Sequence, residues 1–109
     1  MHNRSSQTIE LTERQVSLIG FAIKSRSAEF GFEAAKRDVL SGKAAFILLS
    51  EEIAGDSAKK MQTIARRQGV PVYFMKNDTQ WRKKLGIERY KIITLRRGPL
   101  AKGFFKNVK

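Results

Sequence analysis

Few residues in this sequence are suited to catalysis. Glu51 and Glu52 form a carboxylate pair that could serve acid–base chemistry or bind magnesium, but no partner of the required type accompanies them. The pair is more typical of a loop before a helix. The only histidine, His2, lies near the start of the chain, so no serine–histidine–aspartate set can be assembled. Because cysteine, a Walker loop and a Gly-x-Gly-x-x-Gly motif are also missing, we expect no enzyme activity, cofactor, metal or small-molecule substrate.

Basic side chains are the stronger chemical signal. The chain has 22 lysines and arginines against 10 acidic residues, a net charge of +12. Like charges repel one another in a compact state, so such an excess favours a polyanionic partner. Residues 76–109 hold 11 basic and 2 acidic residues, whereas residues 1–75 hold 11 and 8. This concentration in the last third indicates a nucleic-acid surface, with a solvated charged face as the alternative.

A membrane partner is less favoured. Membrane binding needs a basic helix with an exposed apolar face, and the apolar residues here are needed for a core. The longest apolar run, residues 44–49, is too short to cross a bilayer, and the start of the chain has no signal-peptide pattern. Together with the lack of cysteine, these features predict a cytoplasmic protein.

The hydrophobic pattern predicts helices alternating with strands. A capping box at Thr12 and Gln15 begins a helix near residues 13–26, and a second helix is expected near residues 33–41. Further helices should begin near residues 55, 77 and 98, and strands are predicted at residues 28–30, 44–49, 72–75 and 91–95. The pattern predicts an α/β fold, a three-layer α/β/α sandwich with a four-stranded mixed sheet. Residues 1–10 are expected to be a flexible lead-in, and residues 11–109 a single RNA-binding domain.

An ordered set of short segments carries a family resemblance. The segments are Gly20-Phe21-Ala22, Phe30-Gly31, Leu48-Leu49-Ser50-Glu51-Glu52, Ser57-Ala58-Lys59-Lys60 and Gly69-Val70-Pro71-Val72. Their order and spacing resemble the YlxQ-type bacterial branch of the L-seven-Ae ribosomal protein family, from about residue 14 to residue 105. The resemblance implies the sandwich fold and binding to structured RNA, typically a kink-turn, such as an element of ribosomal RNA.

The resemblance also implies which segments contact RNA. They are the loop after the first predicted strand, the start of the second helix and the loop after the third strand, here residues 31–37 and 76–79. The implied RNA-binding residues are Gly31, Phe32, Glu33, Lys36, Arg37, Lys76, Asn77 and Thr79. Secondary phosphate contacts are expected from Lys24, Arg26, Lys83, Lys84, Arg96 and Arg97.

The sequence departs from the contact motif of the family, Gly-x-Asn-Glu-x-x-Lys, at its centre. Gly31 matches, and Arg37 stands at the basic position. Glu33 replaces an amide that both donates and accepts, and an ionised carboxylate only accepts. Ala34 replaces a carboxylate that would accept from guanine. We therefore expect either weaker kink-turn binding or a different structured RNA.

Several of these residues also have a purely structural interpretation. Gly31 is equally suited to a positive-φ turn and to close approach of RNA, and Asn77 is best explained as a helix cap. Trp81 shares a helix face with Leu85, which favours packing over base stacking. Phe104 likewise suits a helix that docks on the core. The RNA hypothesis needs the Gly31 turn and the basic residues on one surface; the alternative is a protein-interaction or RNA-recruiting accessory module of the translation, transcription or RNA-modification machinery.

Overall fold

In the computed structural model, which describes residues 6–106, five strands alternate with five helices. The strands are β1 (Gln7–Ile9), β2 (Ala28–Phe30), β3 (Ala44–Leu49), β4 (Val72–Met75) and β5 (Ile92–Arg96). The helices are α1 (Glu13–Lys24), α2 (Phe32–Leu40), α3 (Gly55–Arg67), α4 (Thr79–Lys84) and α5 (Pro99–Gly103). The α/β class and the positions of the predicted strands are confirmed.

The sheet has five strands, and the prediction of four was wrong. Its order is β1-β4-β3-β5-β2. The extra strand, β1, pairs in parallel with β4, with Gln7 opposite Tyr73 and Ile9 opposite Met75. This strand occupies part of the segment expected to be a flexible lead-in; residues 1–5, with His2, lie outside the described residues. Three residues are too few for an alternation pattern, so β1 forms because β4 supplies its hydrogen-bonding partners.

The core lies on both faces of the sheet because the central strand β3 alternates its side chains. Phe46 and Leu48 join one buried cluster with residues of α1 and with Phe104. Ile47 and Leu49 join a second buried cluster with residues of α2 and α3. The continuous apolar run of β3 therefore arises because both of its faces are covered by helices.

Local signals positioned the helices well. Thr12 and Gln15 form the expected capping box at the start of α1, with Gln15 N donating to Thr12 Oγ1 at 3.1 Å and Thr12 N donating to Gln15 Oε1 at 3.0 Å. Trp81 is half-buried and packs against the first cluster, which confirms the packing interpretation. Phe104 is fully buried in the same cluster. Between residues 6 and 106 no helix is long and apolar enough to span a bilayer.

The direction of the strands divides the molecule into two ends. Strands β1 and β3 are parallel to β4, and β5 runs antiparallel to both β3 and β2. Thus β2, β3 and β4 end, and β5 begins, at one edge, which we call the carboxyl edge. The opposite edge, where β2, β3 and β4 begin and β5 ends, is the amino edge. Because α1, α2 and α3 each connect parallel strands, each runs from the carboxyl edge to the amino edge.

Candidate nucleic-acid interface

The Gly31 turn lies at the carboxyl edge, between β2 and α2. Gly31 has a φ of 94° and is the residue before the first turn of α2. Its N–H donates to the carbonyl of Ile92 at 2.9 Å, which ties the turn to the start of β5. A Cβ on Gly31 would lie 3.7 Å from Cδ1 of Tyr90. Glycine is thus required by the backbone conformation, whatever additional part the turn plays in binding.

Phe32 and Lys36 line a shallow groove between α2 and α3. The groove has a volume of about 490 Å³ and is also lined by Lys59, Lys60, Thr63 and Ile64. Phe32 is half-buried and packs against the second cluster, so only part of its ring is open to a base. Lys36 and Glu33 are exposed. The start of α2 therefore presents a partly apolar surface with lysines along it.

Arg37 is exposed but already has carboxylate neighbours. Its Nη2 lies 3.4 Å from Oε1 of Glu29, its Nε lies 3.8 Å from Oδ1 of Asp38, and 62% of its side chain is exposed. Exposed ion pairs of this length contribute little, so the guanidinium can exchange its partner for RNA. The expected contact of Arg37 with RNA stays a prediction.

A secondary phosphate contact was expected of Arg96, but two carboxylates already bind its side chain. Its Nε donates to Oδ2 of the buried Asp38 at 2.9 Å, and its Nη2 lies 3.2 Å from Oε2 of Glu29. The hydrogen bond to Asp38, with the further attraction of Asp38 and Glu29, raises the pKa of Arg96 even though partial burial opposes it. The guanidinium therefore neutralises two carboxylates, so Arg96 is not a free phosphate-binding cation.

The loop after β4 also reaches the carboxyl edge. Lys76 is exposed, and Asn77 has a φ of 56°, a left-handed conformation that asparagine tolerates better than most residues. The capping role expected of Asn77 was wrong, because Asp78 is the residue before α4 and no side chain caps this helix. Thr79 donates a hydrogen bond of 2.7 Å to Oε2 of Glu52, so its hydroxyl serves the adjacent loop.

A buried arginine connects the loops of the carboxyl edge. Arg82 is one of the 11 basic residues between positions 76 and 109, but its side chain is only 1% exposed. Its Nε lies 2.6 Å from Oδ2 of the buried Asp78, and its Nη2 lies 2.8 Å from Oε1 of Glu52. Its Nη1 donates to the carbonyls of Glu88, at 2.6 Å, and Tyr90, at 3.2 Å. One side chain thus holds together the loops after β3 and β4 and the loop before β5.

The Arg82 network also accounts for one member of the carboxylate pair, Glu52. Hydrogen bonds from Thr79 and Arg82 lower the pKa of Glu52, which opposes a role as a general acid. In residues 6–106 no cluster of three or more potential metal ligands is found. Glu52 therefore acts as a structural partner of Arg82, as its position in a loop before a helix suggested.

We expect the contribution of Glu52 to stability to depend on pH. A carboxyl whose pKa is lowered by folding stabilises the native state above its unfolded-state pKa, about 4.3, and this stabilisation is lost as pH falls through the lower folded-state pKa. In urea unfolding, Glu52→Gln should be less stable than the wild type at pH 7, and the difference should shrink below about pH 4. Glu51→Gln is the matched control and should follow the wild type; a pH-independent deficit for Glu52→Gln would contradict the assignment.

The basic residues of the last third do not form a single surface, and this expectation was wrong. Lys76, Lys83 and Lys84 are exposed near the carboxyl edge, on the side of the Gly31 turn. Arg96 and Arg97 lie at the amino edge, where β5 ends. The other two expected phosphate contacts, Lys24 and Arg26, also lie at the amino edge, at the end of α1. Because β5 runs antiparallel to β2, it ends at the edge opposite the Gly31 turn, and Arg96 and Arg97 lie there with it.

The loop before β5 is a part of the candidate interface that sequence reasoning missed. Tyr90 packs on Phe30 with ring centroids 5.6 Å apart, and Cζ of Arg89 lies 5.0 Å from the centroid of the Tyr90 ring. Strands β2 and β4 are three strand spacings apart, about 14 Å, and this loop lies between them. A cation next to an aromatic residue, Arg89 and Tyr90, could have indicated this contact site in the sequence. Both residues lie outside the predicted helices and strands and were therefore not considered as a contact site.

Comparisons with known proteins show the fold without showing a family. No protein-family model and no curated protein matches the chain. A protein of unknown function from Bacillus halodurans C superimposes with a TM-score of 0.75 at 19% identity, covering 85% of this chain and 94% of that one. The Giardia lamblia 15.5kD RNA binding protein superimposes with a TM-score of 0.65 at 13% identity, covering 87% and 84%. Both likenesses extend over most of each chain. They establish a shared fold.

Proposed function

We propose that the chain is a non-catalytic binding protein for structured RNA, of the kink-turn type or a related element of ribosomal RNA. The carboxyl edge is the proposed contact surface. The observation that carries the proposal is that the Gly31 turn with the first turn of α2 and residues 76–79, more than 38 positions apart in sequence, reach the same edge of the sheet. Arg37 lies in the last turn of α2, beside Glu29 and Asp38. The structural likeness to the Giardia lamblia 15.5kD RNA binding protein supports RNA as the partner.

The carboxyl edge is built for recognition of shape more than of net charge. Its cations are Arg14, Lys36, Lys59, Lys60, Lys76, Lys83, Lys84, Arg89 and Lys91, and the carboxylates at the same edge are Glu10, Glu13, Glu33, Glu51, Glu52, Asp56 and Glu88. Such mixed charge attracts a polyanion weakly at long range but repels phosphates that lie in the wrong place. The edge therefore favours an RNA whose bend brings its phosphates to the lysines.

The rigidity of this edge supports the same role. Arg82 binds to groups of three loops, and the Gly31 turn is tied to Ile92 and packed beside Tyr90. Loops held in this way are ordered before the ligand arrives, which lowers the entropic cost of binding. Glu33 and Ala34 replace the residues that contact bases in the family that the sequence resembles. The proposed recognition therefore relies on contacts to RNA phosphates, on Arg37 and on the shape of the RNA.

We expect the protein to prefer a kink-turn hairpin over a straight RNA duplex of equal length by at least about tenfold in Kd, or about 1.4 kcal/mol. Filter binding at several salt concentrations measures this preference. The log–log slope of hairpin affinity against salt should be negative, with a magnitude of roughly 3 to 6 for about 4 to 8 phosphate contacts. Equal affinity for both RNAs would refute recognition of bent RNA.

The same assay tests Arg37. Arg37→Ala should weaken hairpin binding by about 1 to 3 kcal/mol if the guanidinium makes a bidentate base contact, and should change duplex binding little. Lys102→Ala is the charge-matched control, since it removes an exposed cation of α5 that belongs to neither of the two proposed RNA contact surfaces. An equal loss of hairpin affinity in both variants would show that Arg37 acts only through its charge.

A further inference from the structure

The amino edge carries an exposed group of cations that the proposed function does not use. We call this group the amino-edge surface; it consists of Lys24, Arg26, Lys43, Arg66, Arg67 and Arg97. All six side chains are exposed, and within residues 6–106 none of them forms an ion pair. The two carboxylates nearest this edge, Glu29 and Asp38, are already neutralised by Arg96 and Arg37.

Backbone hydrogen bonds bring three of these cations, Arg26, Lys43 and Arg97, together. Arg96 N donates to Ser27 O at 2.8 Å, and Arg97 N donates to Lys43 O at 3.0 Å. The residues that precede β2 and β3 are therefore held on either side of the residue that follows β5. Adjacent strands are about 4.8 Å apart, so Arg26, Arg97 and Lys43 are spread over about 10 Å of the edge. Successive phosphates of one strand are about 3.4 Å apart along a duplex axis, so this row spans about three of them.

The ends of the helices do not account for the charge. Cations are favoured at helix C-termini, and α1, α2 and α3 all end at this edge. Each helix end carries about half a negative charge, so three ends offset only about 1.5 of six positive charges. Arg26, Lys43 and Arg97 lie outside the helices altogether. A strong positive field therefore remains at the amino edge, whereas charges at the carboxyl edge nearly balance.

The surroundings of the surface favour a nucleic acid over a membrane. The large apolar side chains exposed nearest this edge, Phe21 at 59% and Leu40 at 56%, belong to α1 and α2. These helices pack on opposite faces of the sheet, so they form no common apolar face that could enter a bilayer. What the edge presents is a row of lysine and arginine side chains, which suits a regular phosphate backbone.

We propose that the amino-edge surface binds the phosphate backbone of a second RNA segment, so that the protein bridges two segments. The bridging rests on the proposed function, because the proposed function assigns the first RNA segment to the carboxyl edge. The molecule measures 33 × 29 × 26 Å, and the two surfaces lie at opposite ends of the strands. Contacts at the amino edge are to phosphates, so this second interaction is independent of sequence and sensitive to salt.

Two triple variants with the same change in net charge test this assignment. Lys43→Gln/Arg67→Gln/Arg97→Gln removes charge from the amino edge, and Lys36→Gln/Lys59→Gln/Lys76→Gln is the matched control at the carboxyl edge. Fluorescence anisotropy with a labelled straight RNA duplex measures phosphate binding. Energy transfer between a donor-labelled kink-turn hairpin and an acceptor-labelled duplex measures bridging. Circular dichroism checks that both variants, altered only at exposed positions, remain folded.

The amino-edge triple should weaken duplex binding at least about tenfold and reduce the magnitude of the salt slope by about 2 to 3, because each lost phosphate contact removes about 0.9. It should abolish energy transfer while keeping the preference for the hairpin. Equal weakening of duplex binding by both triple variants would overturn the proposal. Polyglutamate that competes as effectively as duplex at equal charge would also overturn it, because this would indicate an acidic protein partner. If the protein shows no preference for the hairpin, but its duplex binding still depends on the amino edge, the proposed function is refuted and the assignment of the amino-edge surface stands.

Discussion

Replacing Arg82 by methionine is expected to lower the free energy of unfolding by about 3 to 5 kcal/mol. The substitution keeps an unbranched side chain of similar reach but leaves the fully buried carboxylate of Asp78 without its 2.6 Å partner. It also removes the donor to the carbonyls of Glu88 and Tyr90. Removing one member of a buried ion pair costs more than the pair contributes, because the remaining charge stays desolvated.

Urea unfolding monitored by Trp81 fluorescence measures this effect. Lys83→Met is the matched control, since the next residue of the same helix is exposed and should change stability by no more than about 0.5 kcal/mol. A loss below about 1 kcal/mol for Arg82→Met would show that water or a rearranged loop satisfies Asp78. The assigned role as the link between three loops also requires hairpin affinity to fall in any Arg82→Met protein that remains folded.

Phe104→Ala should have an effect of similar size, lowering the free energy of unfolding by about 3 to 5 kcal/mol. Phe104 is fully buried, and its ring centroid lies 5.1 Å from that of Phe46 on the central strand. Its carbonyl accepts a hydrogen bond of 3.0 Å from Nε2 of the buried Gln15. The truncation therefore opens a cavity where Phe104 packs between α1 and the sheet.

Phe21→Ala is the matched control for this prediction. It makes the same substitution on a side chain that is 59% exposed, so the cost should be a small fraction of that at Phe104. Thermal or urea unfolding of the two variants side by side measures the difference. Similar losses at both positions would contradict the buried placement of the segment after α5.

The two edges of the sheet differ in the order of their loops and in their charge. The carboxyl edge combines ordered loops with nearly balanced charge, whereas the amino edge combines exposed cations with no free carboxylate among residues 6–106. In nucleic-acid recognition generally, a fixed arrangement of contacts supplies selectivity, and contacts between cations and phosphates supply binding that is independent of sequence. In the two proposals made above, this division would let one small domain hold a bent RNA at one end and a duplex at the other.

Some residues of the candidate site could be predicted from the sequence. Gly31, Lys36, Lys76 and Lys83 are found exposed or at the turn where the pattern placed them. The burial of Arg82 was not visible, because an arginine followed by two lysines in a short helix resembles a solvated face. Its partners come from Asp78, from Glu52, which is 30 positions earlier, and from two carbonyls further on. Only the assembled loops show that these groups surround one guanidinium.

The local helices and strands could be predicted from the amino-acid sequence. The capping box of Thr12 and Gln15, the apolar run of β3 and the proline that begins α5 act over a few residues, so each is readable from the chain. Tertiary structure alone decided which strands pair and in which direction. That pairing added β1, and the antiparallel direction of β5 placed Lys91 at the carboxyl edge and Arg96, about 17 Å further along the strand, at the amino edge. Strand pairing joins residues distant in sequence, so the spatial distribution of charge could not be read from its linear one.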